Sequence, residues 1–110
     1  MYDLNRTSYT FTSSDNGEHD FSNLVTFNDD SYDYRLVVYD DDDSDIEGTK
    51  TFNLNGGTDE YDTDNFYVTA STSYPDEDEE VNITVGARDS SNYINDSYRG
   101  TVRFKVERKS

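Results

Sequence analysis

Cysteine and tryptophan are absent from this 110-residue chain, and proline, histidine and methionine each occur once. Without cysteine there is no disulfide framework and no thiol nucleophile, and the usual zinc ligand sets cannot be assembled. No apolar run approaches the roughly 20 residues of a membrane-spanning helix, so we expect no membrane insertion. The residues that follow Met1 do not form a signal peptide, so a secretion signal would have to lie outside this segment.

Charge of one sign dominates what is present. The chain carries 25 acidic and 9 basic residues, which gives a net charge of −16. Such a field repels nucleic-acid phosphates, so we expect no nucleic-acid partner. It attracts cations, and an acidic surface with few lysines is also typical of proteins from high-salt habitats. Both interpretations, ion binding and adaptation to salt, stay open at this point.

The hydrophobic content is low but rich in aromatic residues. Apolar residues make up 31% of the chain and aromatic residues 15%. Low hydrophobicity with high net charge is typical of disordered chains. Aromatic side chains bury large areas, however, so a core can form from few positions. Regular alternation of apolar and polar residues then favours one folded domain over residues 1–110.

Period-two alternation predicts seven strands and almost no helix. Each strand has one apolar and one polar face, as in antiparallel sheets packed on one side. The turn residues Asp15-Asn16-Gly17 predict a hairpin between the first two strands. The fold class is therefore all-β, a seven-strand antiparallel sandwich. The predicted strands cover about 7–12, 19–27, 32–39, 46–54, 65–72, 80–87 and 98–107.

The predicted core consists of the apolar residues that share one face of these strands. They are Phe11, Phe21, Phe27, Leu36, Val38, Phe52, Val68, Ile83, Val85, Val102 and Phe104.

Two stretches of sequence resemble a known family. The run from Val81 to Asp89, followed after a gap by Tyr98 to Val106, resembles the first half of bacterial immunoglobulin-like surface repeats of the invasin-like and filamin-like type. Residues 9–12 and 15–21 resemble the second half of the same repeat. The halves are in permuted order, as in a segment cut across a tandem array. Residues 1–54 then correspond to the end of one repeat, 55–64 to a linker, and 65–110 to the start of the next.

The resemblance implies that the seven-strand sandwich is immunoglobulin-like, and it implies an extracellular, cell-surface location within a repetitive protein. Cadherin-like packing is the alternative topology, because Asp62-Thr63-Asp64-Asn65 resembles the acidic linkers of cadherins. A ten-residue linker spans at most ~33–36 Å when extended, which is enough to run along a sandwich. We therefore expect a monomer in which the two halves close on each other. A strand-exchanged oligomer is the alternative.

Acidic residues concentrate in the loops. Because antiparallel strands reverse at each connection, the loops near 13–18, 40–45 and 73–80 are expected to share one end. Calcium prefers six to eight oxygen ligands from flexible loops of this kind. An EF-hand is excluded, since Ile46 and Phe52 replace its glycine and glutamate. The alternative is a solvated acidic rim. The candidate Ca²⁺ ligands are Asp41, Asp43, Asp45, Asp76 and Asp78.

Catalysis finds little support in the sequence. His19 is the only histidine and is interpreted as structural, and we expect no enzyme activity. The predicted function is a non-enzymatic structural or adhesive module, with neighbouring repeats or other cell-surface molecules as partners and calcium as a candidate stabilising ion. The alternative is a carbohydrate-binding sandwich module. It would use surface tyrosines such as Tyr61, Tyr67, Tyr74 or Tyr93.

Overall fold

The computed structural model describes residues 2–56, 66–89, 91 and 93–109, except for the side chain of Lys109. Within these residues the chain forms eight strands and one short 3₁₀ turn, Ser13–Asp15, and no α-helix. The strands are β1 (Tyr2–Leu4), β2 (Ser8–Thr10), β3 (Glu18–Phe27), β4 (Asp33–Asp40), β5 (Glu47–Phe52), β6 (Phe66–Ala70), β7 (Glu80–Ala87) and β8 (Thr101–Lys109).

The strands form two four-stranded sheets that enclose a single core. Sheet A has the order β1-β3-β7-β6, and sheet B has the order β2-β8-β4-β5. All neighbouring strands in both sheets are antiparallel. The predicted all-β antiparallel sandwich is thus confirmed at the level of two packed sheets.

The predicted count of seven strands was wrong, because the chain has an eighth strand at its start. β1 pairs Tyr2 with Phe27 and Leu4 with Val25 of β3. It is only three residues long, and a strand this short gives no measurable alternation in the sequence.

The predicted hairpin across residues 15–17 was also wrong. Asn16 and Gly17 do adopt positive φ angles, 52° and 83°, as the turn residues indicated. The strands on either side do not pair with each other, however, because β2 joins β8 in sheet B while β3 joins sheet A. The turn therefore connects the two sheets instead of two neighbours in one sheet.

All eleven predicted core residues are buried. A β-bulge in β3 brings further residues into the core. The register of β3 against β7 shifts between Phe21 and Val25, and Asn23 within this stretch has a φ of 54°. The shift places the consecutive residues Leu24 and Val25 both inside, which strict alternation would forbid. The apolar residues that are buried beyond the prediction are Leu24, Val25, Tyr34, Val37, Phe66, Val81 and Ala87.

The direction of the strands defines two ends of the sandwich. We call the end that carries loops 11–17, 41–46 and 88–100 the distal end. The opposite end carries loops 28–32 and 71–79 and is called the terminal end. Tyr2 pairs with Phe27 and Lys109 pairs with Asp33, so β1 begins and β8 finishes at this terminal end.

Strands β5 and β6 run in the same direction, from the distal end to the terminal end. Glu47 pairs with Tyr39 at the distal end of β4, and Phe66 pairs with Ala87 at the distal end of β7. The last residue of β5 and the first residue of β6 therefore lie at opposite ends of the sandwich. Most of the predicted linker, residues 57–64, lies outside the described residues.

Both halves of the chain contribute to both sheets. Sheet A combines β1 and β3 with β6 and β7, and sheet B combines β2, β4 and β5 with β8. Glycine is required where the two sheets meet at their β5 and β6 edges: a Cβ on Gly48 would lie 2.1 Å from the carbonyl oxygen of Phe66. The halves are thus joined by strand pairing and by close packing.

Truncation of Phe104 to alanine is expected to lower the free energy of unfolding by about 3–5 kcal/mol. Phe104 is 6% exposed, and its ring meets that of Phe21 edge-to-face at 5.1 Å. Urea unfolding gives the measurement. Tyr93→Ala is the control, because Tyr93 is 73% exposed and its loss should change stability by at most about 0.5 kcal/mol. Equal effects of the two substitutions would remove Phe104 from the core.

Candidate functional site

The acidic loop at the distal end is organised by one buried carboxylate. Asp40, the last residue of β4, is 7% exposed. Its Oδ1 accepts hydrogen bonds from the backbone N–H groups of Asp42 at 2.8 Å and Asp43 at 3.0 Å. Its Oδ2 accepts a hydrogen bond from the hydroxyl of Tyr98 at 2.5 Å. A buried carboxylate requires such partners, so the charge of Asp40 is used to hold the start of the loop.

Tyr98 links this loop to the core. Its ring meets Phe11 and Phe66 edge-to-face at 5.0 and 5.3 Å. Burial raises the pKa of the Tyr98 hydroxyl, and the hydrogen bond to Asp40 and its negative charge raise it further, so the hydroxyl stays a donor. A Cβ on Gly100 would lie 2.5 Å from the Tyr98 oxygen and 2.6 Å from Asp40 Oδ2, so only glycine leaves room for the pair.

Three predicted calcium ligands lie in the same exposed loop. Asp41 pairs with Arg103 of β8, and this contact raises the pKa of the guanidinium. Asp43 Oδ1 accepts the backbone N–H of Asp45 at 3.1 Å, and the Asp43 carbonyl accepts that of Ile46 at 3.0 Å. The loop is therefore shaped by its own carboxylates, while the remaining carboxylate oxygens face solvent.

The other two predicted ligands lie at the terminal end. The backbone N–H of Asp78, a residue with a φ of 66°, donates to the carbonyl of Phe27 at 2.7 Å. Asp76 closes a turn with Glu79, whose Oε1 accepts the Asp76 N–H at 2.9 Å. Asp76 and Asp78 are thus separated from the distal loop by the length of the strands.

The expectation that all three acidic loops share one end was therefore wrong. Loops 13–18 and 40–45 share the distal end, but loop 73–80 does not. The alternation rule failed because β5 finishes at the terminal end and β6 begins at the distal end, which inverts the assignment of every later loop. Within residues 2–56, 66–89, 91 and 93–109, no three acidic or histidine side chains converge as a metal site would require.

His19 belongs to a second polar network at the junction of the sheets. Its Nδ1 lies 2.8 Å from Asp15 Oδ1, and its ring stacks on Tyr9 of β2 at 4.2 Å. Asp15, whose side chain is 8% exposed, also accepts the Tyr9 hydroxyl at 2.9 Å and the Thr12 N–H at 2.9 Å. Burial opposes ionisation of Asp15, but these hydrogen bonds outweigh it and hold its pKa below the ordinary value. The network fastens the 3₁₀ turn to both sheets.

A polar cavity of about 260 Å³ lies beside this network. It opens where the chain crosses from β1 in sheet A to β2 in sheet B. His19 lines it, but among the described residues its only hydrogen-bond partner is Asp15. Ser22 also lines it, and among the described contacts no hydrogen bond joins its hydroxyl to His19, so the pair does not form an activated nucleophile. The lining residues are Asn5, Arg6, His19, Asp20, Phe21, Ser22 and Leu24.

The candidate carbohydrate-binding tyrosines are not brought together. Tyr74 is 63% exposed in the loop at the terminal end, and Tyr93 is 73% exposed at the distal end. Tyr67 covers Gly86 on the outer face of sheet A, where a Cβ would lie 1.9 Å from its ring. The guanidinium of Arg88 lies 4.9 Å from the centre of the Tyr67 ring. Tyr61 lies outside the described residues.

Sequence reasoning missed the Asp40–Tyr98 pair. From the sequence alone, Asp40 is placed in the acidic loop 40–45. The alternation of β4 gave a signal that it is buried, because Asp40 is the next inward position after Tyr34, Leu36 and Val38.

No protein-family model matches the chain, and comparisons with curated proteins and with solved structures return no match. The described part of the chain contains no helix with the length and apolar character needed to cross a membrane.

Tyr98→Phe is expected to lower the free energy of unfolding by about 1.5–3 kcal/mol, because a buried charged acceptor loses one of its three donors. The ring and its packing are retained, so the change isolates the hydroxyl. Tyr93→Phe, which removes an exposed hydroxyl, is the matched control and should leave the denaturation midpoint unchanged. If both variants unfold at the wild-type midpoint, Asp40 does not depend on Tyr98.

Proposed function

We propose that this domain is a non-enzymatic adhesive module of a repetitive extracellular surface protein. The observation that carries the proposal is the position of the chain ends: β1 begins and β8 finishes at the same, terminal end of the sandwich. In a tandem array of the proposed kind, the connections to neighbouring modules would leave from that end. The distal end then projects outward, which suits contact with another surface better than an in-line spacer.

The polar chemistry of the domain supports a structural role for its carboxylates. The buried Asp40 and the partly buried Asp15 each accept three or more hydrogen bonds from the turns and strands around them. Groups used in this way preorganise loops for recognition. They do not offer the free acid or base that catalysis needs. The projecting distal surface consists of the exposed acidic loop 41–45 and the exposed pair Tyr93 and Ile94.

The orientation of the module can be tested because the chain has no cysteine. A single introduced cysteine allows attachment to beads at one chosen end. Asn28→Cys attaches the protein by its terminal end and leaves the distal end free, and Ser44→Cys attaches it by the distal loop. Both residues are exposed. The proposal predicts that only the beads with free distal ends are retained under flow on cells of the source organism. Equal retention, or none with either variant, contradicts it.

Stabilisation by calcium remains part of the proposal, with the candidate ligands divided into two separate groups. Asp41, Asp43 and Asp45 are exposed at the distal end, and Asp76 and Asp78 are exposed at the terminal end. Like charges placed this close repel one another unless a cation or salt neutralises them. A cation that binds the folded state alone raises stability by RT ln(1 + [L]/Kd), about 2.7 kcal/mol at a hundredfold excess over Kd.

Calcium is expected to raise the melting temperature above the value in sodium chloride of matched ionic strength. Magnesium at equal concentration separates a specific site from divalent screening. Asp45→Asn should reduce the calcium increment, while Asp20→Asn, which removes the same charge from an exposed position on β3 outside both acidic loops, should not. If calcium adds nothing beyond the ionic-strength control, the acidic loops are a solvated rim and the ion is withdrawn from the proposal.

A further inference from the structure

The segment that joins β1 to β2 leaves part of sheet B uncovered. β2 pairs with β8 only from Ser8↔Arg103 to Thr10↔Thr101, and the N–H of Phe104 donates to the carbonyl of Thr7 at 2.9 Å. Before Thr7 the chain has crossed to sheet A, where β1 pairs with β3. Among the described residues, nothing therefore pairs with β8 beyond Phe104 on its outer side. The remaining part of β8, residues 105–109, is called the open edge.

The hydrogen-bonding groups that face outward from the open edge follow from two observed contacts. The N–H of Asp41 donates to the carbonyl of Thr101 at 2.7 Å, so the odd-numbered residues of β8 direct their backbone groups toward β4. The bond from Phe104 to Thr7 shows that even-numbered residues point the other way. By the alternation of antiparallel ladders, the N–H and C=O groups of Val106 and Arg108 face solvent.

The side chains around the open edge are cationic in a strongly acidic protein. Lys105 and Arg35 both contact Glu107, at 3.6 and 3.0 Å, which places two cations on one carboxylate. Arg108 is exposed, with its guanidinium 4.1 Å from the centre of the Tyr32 ring. On the inner side, Val106 and Leu4 are half-buried and pack against the core. A strand added here would place alternate side chains against apolar and cationic surfaces.

We propose that the open edge of β8 accepts an extended acidic segment of another polypeptide as a fifth strand of sheet B. Backbone pairing with Val106 and Arg108 provides the affinity, and the cations select a segment that alternates apolar and acidic residues. A second copy of β8 is disfavoured, because antiparallel pairing of Val106 with Arg108 would place the Glu107 residues of the two copies directly opposite each other. This surface lies toward the terminal end, so the proposal does not depend on distal adhesion.

The direct test uses a short blocked peptide of alternating valine and aspartate, with fluorescence anisotropy for affinity and amide chemical shifts for location. The peptide should perturb residues 104–109 and bind more weakly as salt increases. Methylation of the peptide nitrogens that face β8 should weaken binding by about tenfold or more, since strand pairing is lost. A peptide of alternating valine and lysine should not bind.

Protein variants separate pairing from charge. Val106→Pro removes one outward N–H and should weaken binding, and the free protein should tolerate it because this N–H has no partner in the sheet. If Val106→Pro fails to fold, Arg108→Glu provides the same test through charge. Arg99→Glu, at an exposed distal position, is the charge-matched control and should bind like wild type. The proposal is overturned if the valine–aspartate peptide does not bind, or if the methylated peptide or the lysine peptide binds equally well. The cations would then serve to prevent pairing at the edge of the sheet.

Discussion

The sandwich depends on the pairing of strands that lie far apart in the sequence. β4 and β8 pair over eight residue positions, from Asp33↔Lys109 to Asp40↔Val102, and β3 pairs with β7 from Glu18↔Gly86 to Thr26↔Glu80. These are the central pairs of sheets B and A, and each joins a strand from the first half of the chain to one from the second. Each edge strand pairs with only one of the central strands, and the core between the sheets closes only when both central pairs are in register.

This constraint explains the features that bear on function. β5 finishes at the terminal end and β6 begins at the distal end, so the second half supplies strands antiparallel to those of the first. This direction of β6 places the acidic loops 40–45 and 73–80 at opposite ends. The short N-terminal strands cover one part of each sheet and leave the open edge of β8. Asp40 and Tyr98, one from each half, then join the halves at the distal end through a hydrogen bond of 2.5 Å.

The sequence predicted what depends on local periodicity and missed what depends on long-range geometry. Seven strands and eleven core residues such as Phe27 and Phe104 could be read from alternation, because each strand has one buried face. The partners of the strands could not, since β2 and β3 flank a normal turn and still belong to different sheets. The burial of Asp40 was missed because its neighbours Asp41 to Asp43 are exposed. The acidic loops could be located, but their separation required the direction of β6.

The central claim is that the two halves fold as one cooperative unit, because each sheet is held together by one strand from each half. Native-state hydrogen exchange on the intact chain tests this most directly. The account predicts that the slowest amides of β3 and β4 and those of β7 and β8 share one free energy of opening, equal to that of global unfolding. It also predicts that they respond alike to denaturant. A lower, separate opening free energy for β7 and β8 would show that the halves open independently and would contradict the account.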